Sequence, residues 1–347
     1  MDSMSLEEFK STIEAAARTR STSYSQTFCA TIRWQADDTN AERDASIFKD
    51  MVKEALHLPD AIEFIIPPNH PAPHIWLQRR SLEIQELAYT AAGRSLVIYH
   101  YAGHGQQDSE GSLYFVENGR RGAACINASR RLFQDPCEFE MSDNMDCLFI
   151  LDCCYSRIPS RAMETTPRTV ELIANAATDE ATSHSNTITN KLYRAIMYRK
   201  SQGQQYIEFA ELMESLRGEA IAENQEVPTH FLKMGAASIC IPFQGPRPSF
   251  TVDHGQLRPV HYAKFRAKVD SEFTKEEQEE FVQWLHNRPP SVPLELLESY
   301  PSGVQSTSLV FKGAWRTWSR LAGVKGYRLF DDLPVLGHKD IQPFTPR

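Results

Sequence analysis

Ser95-Leu-Val-Ile-Tyr-His-Tyr-Ala-Gly-His-Gly105 and Asp146-Cys-Leu-Phe-Ile-Leu-Asp-Cys-Cys-Tyr-Ser156 follow one pattern. Each opens on a near-continuous apolar run, 96–99 in the first and 147–151 in the second. Runs of this length and type read as central strands of a parallel sheet, covered on both faces. Each run then breaks into small, polar and reactive residues: Gly103, His104 and Gly105 in one, Asp152, Cys153 and Cys154 in the other. Open parallel sheets bind ligands outside the carboxyl ends of their strands. Two adjacent strands of this kind deliver an imidazole and a thiol to one crevice.

Working outward, strand and helix signals alternate. Residues 5–20 have helical spacing with Glu7 and Glu8 in the first turn. Residues 27–34 read as a strand, and Asn40 as the cap of a helix to about 56. A strand at 61–66, a Pro-rich loop at 67–73 and a helix at 75–92 lead to the His strand. Residues 112–126, with Asn118-Gly119 between two apolar runs, resemble a β-hairpin. A short helix at 127–134 precedes the Cys strand. Further strands are read at 169–174 and 236–241, with helices at 189–198 and 207–221 between them. The fold class is therefore α/β, a doubly wound, mostly parallel sheet flanked by helices.

Pro242-Phe-Gln-Gly-Pro-Arg-Pro248 marks a boundary. Beyond it Thr274 and Glu277 form a capping box before a helix, and strands are read at 308–311 and 327–330 around a short helix at 315–321. The domain reading is an N-terminal helix at 1–22, the main domain at 23–245, and a linker with a small C-terminal α/β module at 246–347. The 347 residues are 41% hydrophobic and 24% charged, an ordinary globular composition. A net charge of −8 disfavours nucleic acid. No apolar run reaches the length of a membrane span, and the N-terminus lacks the apolar region of a signal peptide. Seven irregularly spaced cysteines fit a reducing, cytoplasmic location better than a disulfide scaffold.

A thiol beside an imidazole is apparatus for acyl transfer, since the thiolate is the nucleophile and a neighbouring His promotes it. Cys154 and His104 are the candidate pair. The backbone N–H groups of Gly105 and Cys154 are candidate oxyanion donors. Cys153, one position away on a strand, points to the opposite side and reads as structural; His100 lies deeper and reads as a core residue. Zinc is disfavoured because adjacent strand cysteines diverge and no Cys-x-x-Cys spacing occurs.

His-Tyr-Ala-Gly-His-Gly at 100–105 and Asp-Cys-Cys-Tyr-Ser at 152–156 resemble the paired motifs of the metacaspases and other caspase-like cysteine peptidases, His-Tyr-Ser-Gly-His-Gly and Asp-Ser-Cys-His-Ser-Gly. The chain departs from them at Ala102, Tyr155 and Arg157. The resemblance runs over about 24–245 and implies catalytic His104 and Cys154. It also implies a substrate pocket with Asp152 and, by placement in Asn40-Ala-Glu-Arg-Asp-Ala45, Asp44, with Asp179 as a further acid. Such a pocket takes Arg or Lys. Asp38 stands where caspases that cut after Asp carry an Arg; the plainer reading is that Asp38 and Asp44 favour a helix N-terminus. No cofactor is required. Calcium activation, common among metacaspases, has no compact acidic loop here to compel it. Expected partners are protein or peptide substrates, with a protein partner for the C-terminal module left open. Residues 155–168 read as an exposed loop whose Arg157, Arg161 and Arg168 invite self-cleavage. The rival reading is a catalytically weak or inactive regulatory protein in which Arg157 fills the acidic pocket.

Overall fold

The computed structural model describes residues 3–17, 24–133, 143–154, 168–175, 187–243, 259, 261–287, 294–302 and 306–334. Helix α1 is Leu6–Ala17, followed by β1 Gln26–Trp34 and α2 Ala41–Asp50, which runs on as a wider turn through Met51–Ala55. Next come β2 Ile62–Ile66, α3 Pro73–Thr90 and β3 Ser95–Ala102. Three short strands, β4 His104–Gln107, β5 Leu113–Val116 and β6 Cys125–Asn127, form an antiparallel sheet of their own. The chain then gives β7 Met145–Cys154, β8 Val170–Asn175, α4 Ile188–Ser201, β9 Tyr206–Glu208, α5 Phe209–Ala222, β10 Thr229–Met234 and β11 Cys240–Pro242.

The main sheet has six strands in the order β10-β8-β7-β3-β1-β2. All its pairings are parallel except that of β10 with β8. This is the doubly wound, mostly parallel sheet read from the apolar runs. β3 is buried at every position, as a central strand covered on both faces must be. Side chains alternate across it. Leu96, Ile98, Leu148 and Ile150 enter the core shared with α2, α4 and α5, whereas Val97, Tyr99, Cys147, Phe149 and Leu151 pack on the other face with Leu77 and Ile84 of α3. At the amino end of β7 the buried Asp146 carboxylate accepts from Tyr24 Oη (2.8 Å), Arg94 Nη1 (3.1 Å) and Thr169 N (2.6 Å). Those three bonds align the starts of β1, β3 and β8 on β7.

β12 His261–Val269, α6 Lys275–His286, β13 Leu294–Pro301, β14 Thr307–Ala314, α7 Trp315–Leu321 and β15 Tyr327–Pro334 complete the described chain. Their four strands form an antiparallel sheet ordered β13-β14-β12-β15. The capping box at Thr274 and Glu277 is present. The sequence reading assigns no element to 261–269, although buried and half-buried positions alternate there with the period of a strand. It also places the last strand of the main domain at 236–241, whereas β10 fills the sheet edge and β11 pairs with β9. His230 and Lys233 interrupt the apolar run of β10. Only the fold supplies the compensating partner, Glu171, whose Oε1 meets His230 Nε2 at 2.5 Å. Two smaller corrections concern charged and polar residues. Asn40 makes no side-chain cap and sits at φ 75°; Asp37 Oδ1 accepts instead from Thr39 N (2.8 Å) and Ala41 N (3.4 Å). Arg168, read as part of an exposed loop, is buried, with Nε donating to Met234 Sδ at 2.9 Å. Residues 155–167 and 176–186, including Tyr155, Arg157, Arg161 and Asp179, lie outside the described residues.

The C-terminal sheet shares a core with the main domain rather than standing apart from it. Phe9 of α1 packs on Phe311 (5.5 Å between centroids), Phe281 (5.6 Å) and Tyr327 (5.9 Å). Buried Arg320 of α7 pairs with Glu208 and donates to Ala16 O, and Arg316 lies 3.6 Å from Glu214 of α5. No described helix is long and apolar enough to cross a membrane. Removing the Phe9 ring leaves a cavity that three aromatic neighbours cannot close. Phe9→Ala should therefore destabilise by about 3–5 kcal/mol in urea unfolding; a loss under ~1 kcal/mol would mean that α1 does not hold this core.

Candidate active site

β3 and β7 run side by side with Ala102 opposite Asp152. Gly103 N donates to Asp152 O at 3.4 Å, the last bond between them. His104 and Cys154 each stand two residues beyond that last paired rung. The ladder thus brings both backbones to the carboxyl end of the sheet. A bulge lies at the same place, where β7 passes from Leu151 opposite Ala174 to Cys154 opposite Asn175. Bulges of this kind re-aim side chains beside functional sites. Cys153 is buried on the α3 side, among the residues packed with Tyr101 and Phe115, as the alternation requires. The Cys154 side chain lies outside the described residues.

Asp152 faces the opposite side of the sheet. Its Oδ2 meets His100 Nε2 at 3.0 Å, and its Oδ1 accepts from Thr189 N, in the first turn of α4, at 3.1 Å. His100 is fully buried, stacked on Phe48 (4.6 Å, 9°), with Nδ1 2.8 Å from Thr31 Oγ1. It is a positioning group for Asp152, consistent with its reading as a core histidine. Asp44 of α2 comes to the same corner. Its Oδ1 accepts from Thr187 Oγ1 at 3.3 Å, and Thr187 caps α4 through Asn190 N. The two acids implied by the resemblance therefore meet at the N-terminus of one helix. Burial first, and then the neighbouring Asp152 charge, push the Asp44 carboxyl up to about 7.

His104 leaves the main sheet through Gly103, at φ 137°. A Cβ at Gly103 would stand 2.8 Å from Asp37 Oδ2 and 3.0 Å from Tyr101 Oη, so only glycine fits this turn. Tyr101 Oη donates to His104 O at 2.8 Å. The half-buried imidazole presents Nε2 to Asp38 Oδ1 at 2.6 Å, and Gly119 N donates to the same oxygen at 3.3 Å. That bond to His104 is the main cause that holds the Asp38 carboxyl below its usual range. Asp38 therefore belongs with the imidazole, not with the substrate-pocket acids. Sequence reasoning treats it as an acid in place of an Arg, because its partner is 66 residues away.

Gly105 follows in β4, opposite Phe115. Among the described residues, the group with metal-donor spacing is Asp37, Asp38 and His104, whose donor atoms lie within 4.8 Å of one another. The protein already joins two of these donors, since Asp38 holds Nε2 of the ring. His100 turns to other partners, so the two histidines do not converge on one ion.

The Asp44 environment fixes a sign for pH dependence. Between about pH 4 and about 7 the folded chain keeps a proton that the unfolded chain has lost. Stability therefore falls as pH rises through that window. Asp44→Asn should flatten this part of the profile and raise the urea midpoint at pH 8 relative to wild type. An unchanged slope between pH 5 and 8 would show that Asp44 is not the buried acid responsible.

Residues 79–232 match the family model described as the caspase domain, a span that holds His104, Gly105, Asp152 and Cys154. No curated protein matches the sequence. Among solved structures, the chain is similar to the Drosophila initiator caspase Dronc, with TM-score 0.39 and 9% identity over 60% of this chain and 80% of that one. It is also similar to caspase-1 from Spodoptera frugiperda, with TM-score 0.40 and 11% identity over 67% of this chain and 94% of that one. Over residues 79–232 the chain is similar to the caspase domain.

Proposed function

We propose that the protein is a cysteine endopeptidase of metacaspase type that cuts protein or peptide substrates after Arg or Lys. The observation that carries this reading is the pairing of Asp44 and Asp152 at the N-terminus of α4, beside the strand ends that bear His104 and Cys154. Asp152 is held by a backbone N–H and an imidazole, while Asp44 retains a proton up to about pH 7. A substrate cation adds an opposite charge beside the two acids. Its arrival favours the Asp44 carboxylate and releases its proton.

The chemistry follows from the two motif residues. His104 takes the thiol proton, and Cys154 Sγ attacks the substrate carbonyl carbon. The oxygen becomes an oxyanion, for which the N–H groups of Gly105 and Cys154 are the donors. Collapse of the tetrahedral intermediate breaks the C–N bond, and the leaving amine takes the proton from His104. Water, deprotonated by His104, then hydrolyses the thioester and restores the thiol. No cofactor enters any step.

Cys154→Ala and His104→Ala should each abolish turnover of peptides ending in Arg, in calcium and in chelator alike. Cys153→Ala should retain it. Replacing Arg before the scissile bond by Asp or Ala should lower kcat/KM by at least ~100-fold, the scale of an unmet buried charge pair. KM for Arg substrates should fall as pH rises through about 7, and Asp44→Asn should remove that dependence. Cleavage after Asp or after uncharged residues overturns the specificity. A wild type that neither cuts nor is labelled at Cys154 by an Arg chloromethyl ketone overturns the peptidase reading in favour of a caspase-fold regulatory protein.

A further inference from the structure

We infer that Asp38 is a positioning residue for His104: its carboxylate holds the proton of the neutral ring on Nε2 and leaves Nδ1 to receive the proton of the nucleophile. The inference rests on the peptidase reading above, and extends it from a pair of residues to three. An imidazole on an exposed strand end has two tautomers and free rotation about its side-chain bonds. Only one tautomer, in one orientation, presents a lone pair to the thiol. A base of this kind works when a third group orients it.

Several contacts make Asp38 such a group. Nε2 of His104 lies 2.6 Å from Asp38 Oδ1, and an ionised carboxylate there only accepts, which puts the ring proton on Nε2. The same oxygen accepts from Gly119 N at 3.3 Å, in the turn that leads to β6. That turn lies against the ring, since a Cβ on Gly119 would stand 3.5 Å from Cε1 of His104. The loop carrying Asp38 is itself fixed, because Asp37 Oδ1 accepts from Thr39 N and Thr39 Oγ1 at 2.8 and 2.6 Å. The backbone of His104 is pinned by the Tyr101 hydroxyl. The imidazole thus sits between the β1–α2 loop and the turn before β6, with one nitrogen committed.

The electrostatics act in the same direction. When His104 accepts the thiol proton it becomes a cation, and the Asp38 carboxylate faces it. Carboxylate oxygens of Asp37 and Asp38 lie within 4.8 Å of a ring nitrogen, and the Tyr101 hydroxyl donates to the His104 carbonyl. The Asp38 side chain is 55% exposed, so water screens the pair and its contribution to fold stability is small. Its effect is on orientation and on the charged state of the ring.

Asp38→Asn keeps the shape and removes both the charge and the fixed acceptor; Asp38→Ala removes the contact. Both should lower kcat for an Arg peptide by about 10- to 1,000-fold, below the ~10,000-fold seen for a buried acid in a serine protease because this one is wet. KM should stay within about twofold, and the melting temperature should not move. Nitrogen-15 NMR of the His104 ring, assigned by the signal lost in His104→Ala, should show a protonated Nε2 in wild type and mixed tautomers in Asp38→Ala. An unchanged kcat in both variants, a rise in KM alone, or a wild-type ring protonated on Nδ1 each overturns the inference. The ring signal does not depend on turnover. A wild type that cuts no peptide therefore overturns the peptidase reading, and the ring still decides the role of Asp38.

Discussion

The parallel ladder between β3 and β7 is the constraint on which the site depends. Because Ala102 lies opposite Asp152, the two residues two steps further along are His104 and Cys154. A slip of one residue would turn Asp152 into the α3-side core and bring Cys153 to the other face. The register is held by burial, since every side chain of β3 is packed on one face or the other. It is also held at the opposite end of the strands by the Asp146 carboxylate and its three donors. A core that is apolar on both faces thus sets the placement of the polar site at its edge.

At the end of that ladder, two acids six residues apart are given different chemistry by their surroundings. Asp38 sits at the surface against an imidazole, and is held ionised. Asp44 sits in the first turn of α2, buried near Asp152, and is held protonated up to about pH 7. The N-terminus of α4 makes the second arrangement tolerable, because the Thr189 N–H of its first turn bonds Asp152 and its threonine cap bonds Asp44. Burying two acids side by side is costly to the fold.

The C-terminal sheet and α1 bear on the site only indirectly. They close the core under α5 through Phe9, Phe265, Phe311 and Trp318, and through Arg316 and Arg320, whose charges meet Glu214 and Glu208. Removing either partner of such a pair leaves the other buried and uncompensated.

The sequence by itself determined the strands that carry the chemistry. The runs at 96–99 and 147–151, short, rich in β-formers and followed by small and polar residues, read as strands covered on both faces, and the residues that interrupt them are the reactive ones. It determined the capping box at Thr274 as well, since that device lies within four residues. Local patterns are legible because their partners are neighbours in the chain. Only the tertiary structure decided that Asp38 belongs to His104, that Glu171 makes room for His230 in β10, and that Arg168 lies inside. Each of these pairs a polar residue with a group 59 to 66 positions away. A charged or polar side chain signals only that it needs a partner or water; which of the two it finds depends on strand order and register, and no window of sequence contains them.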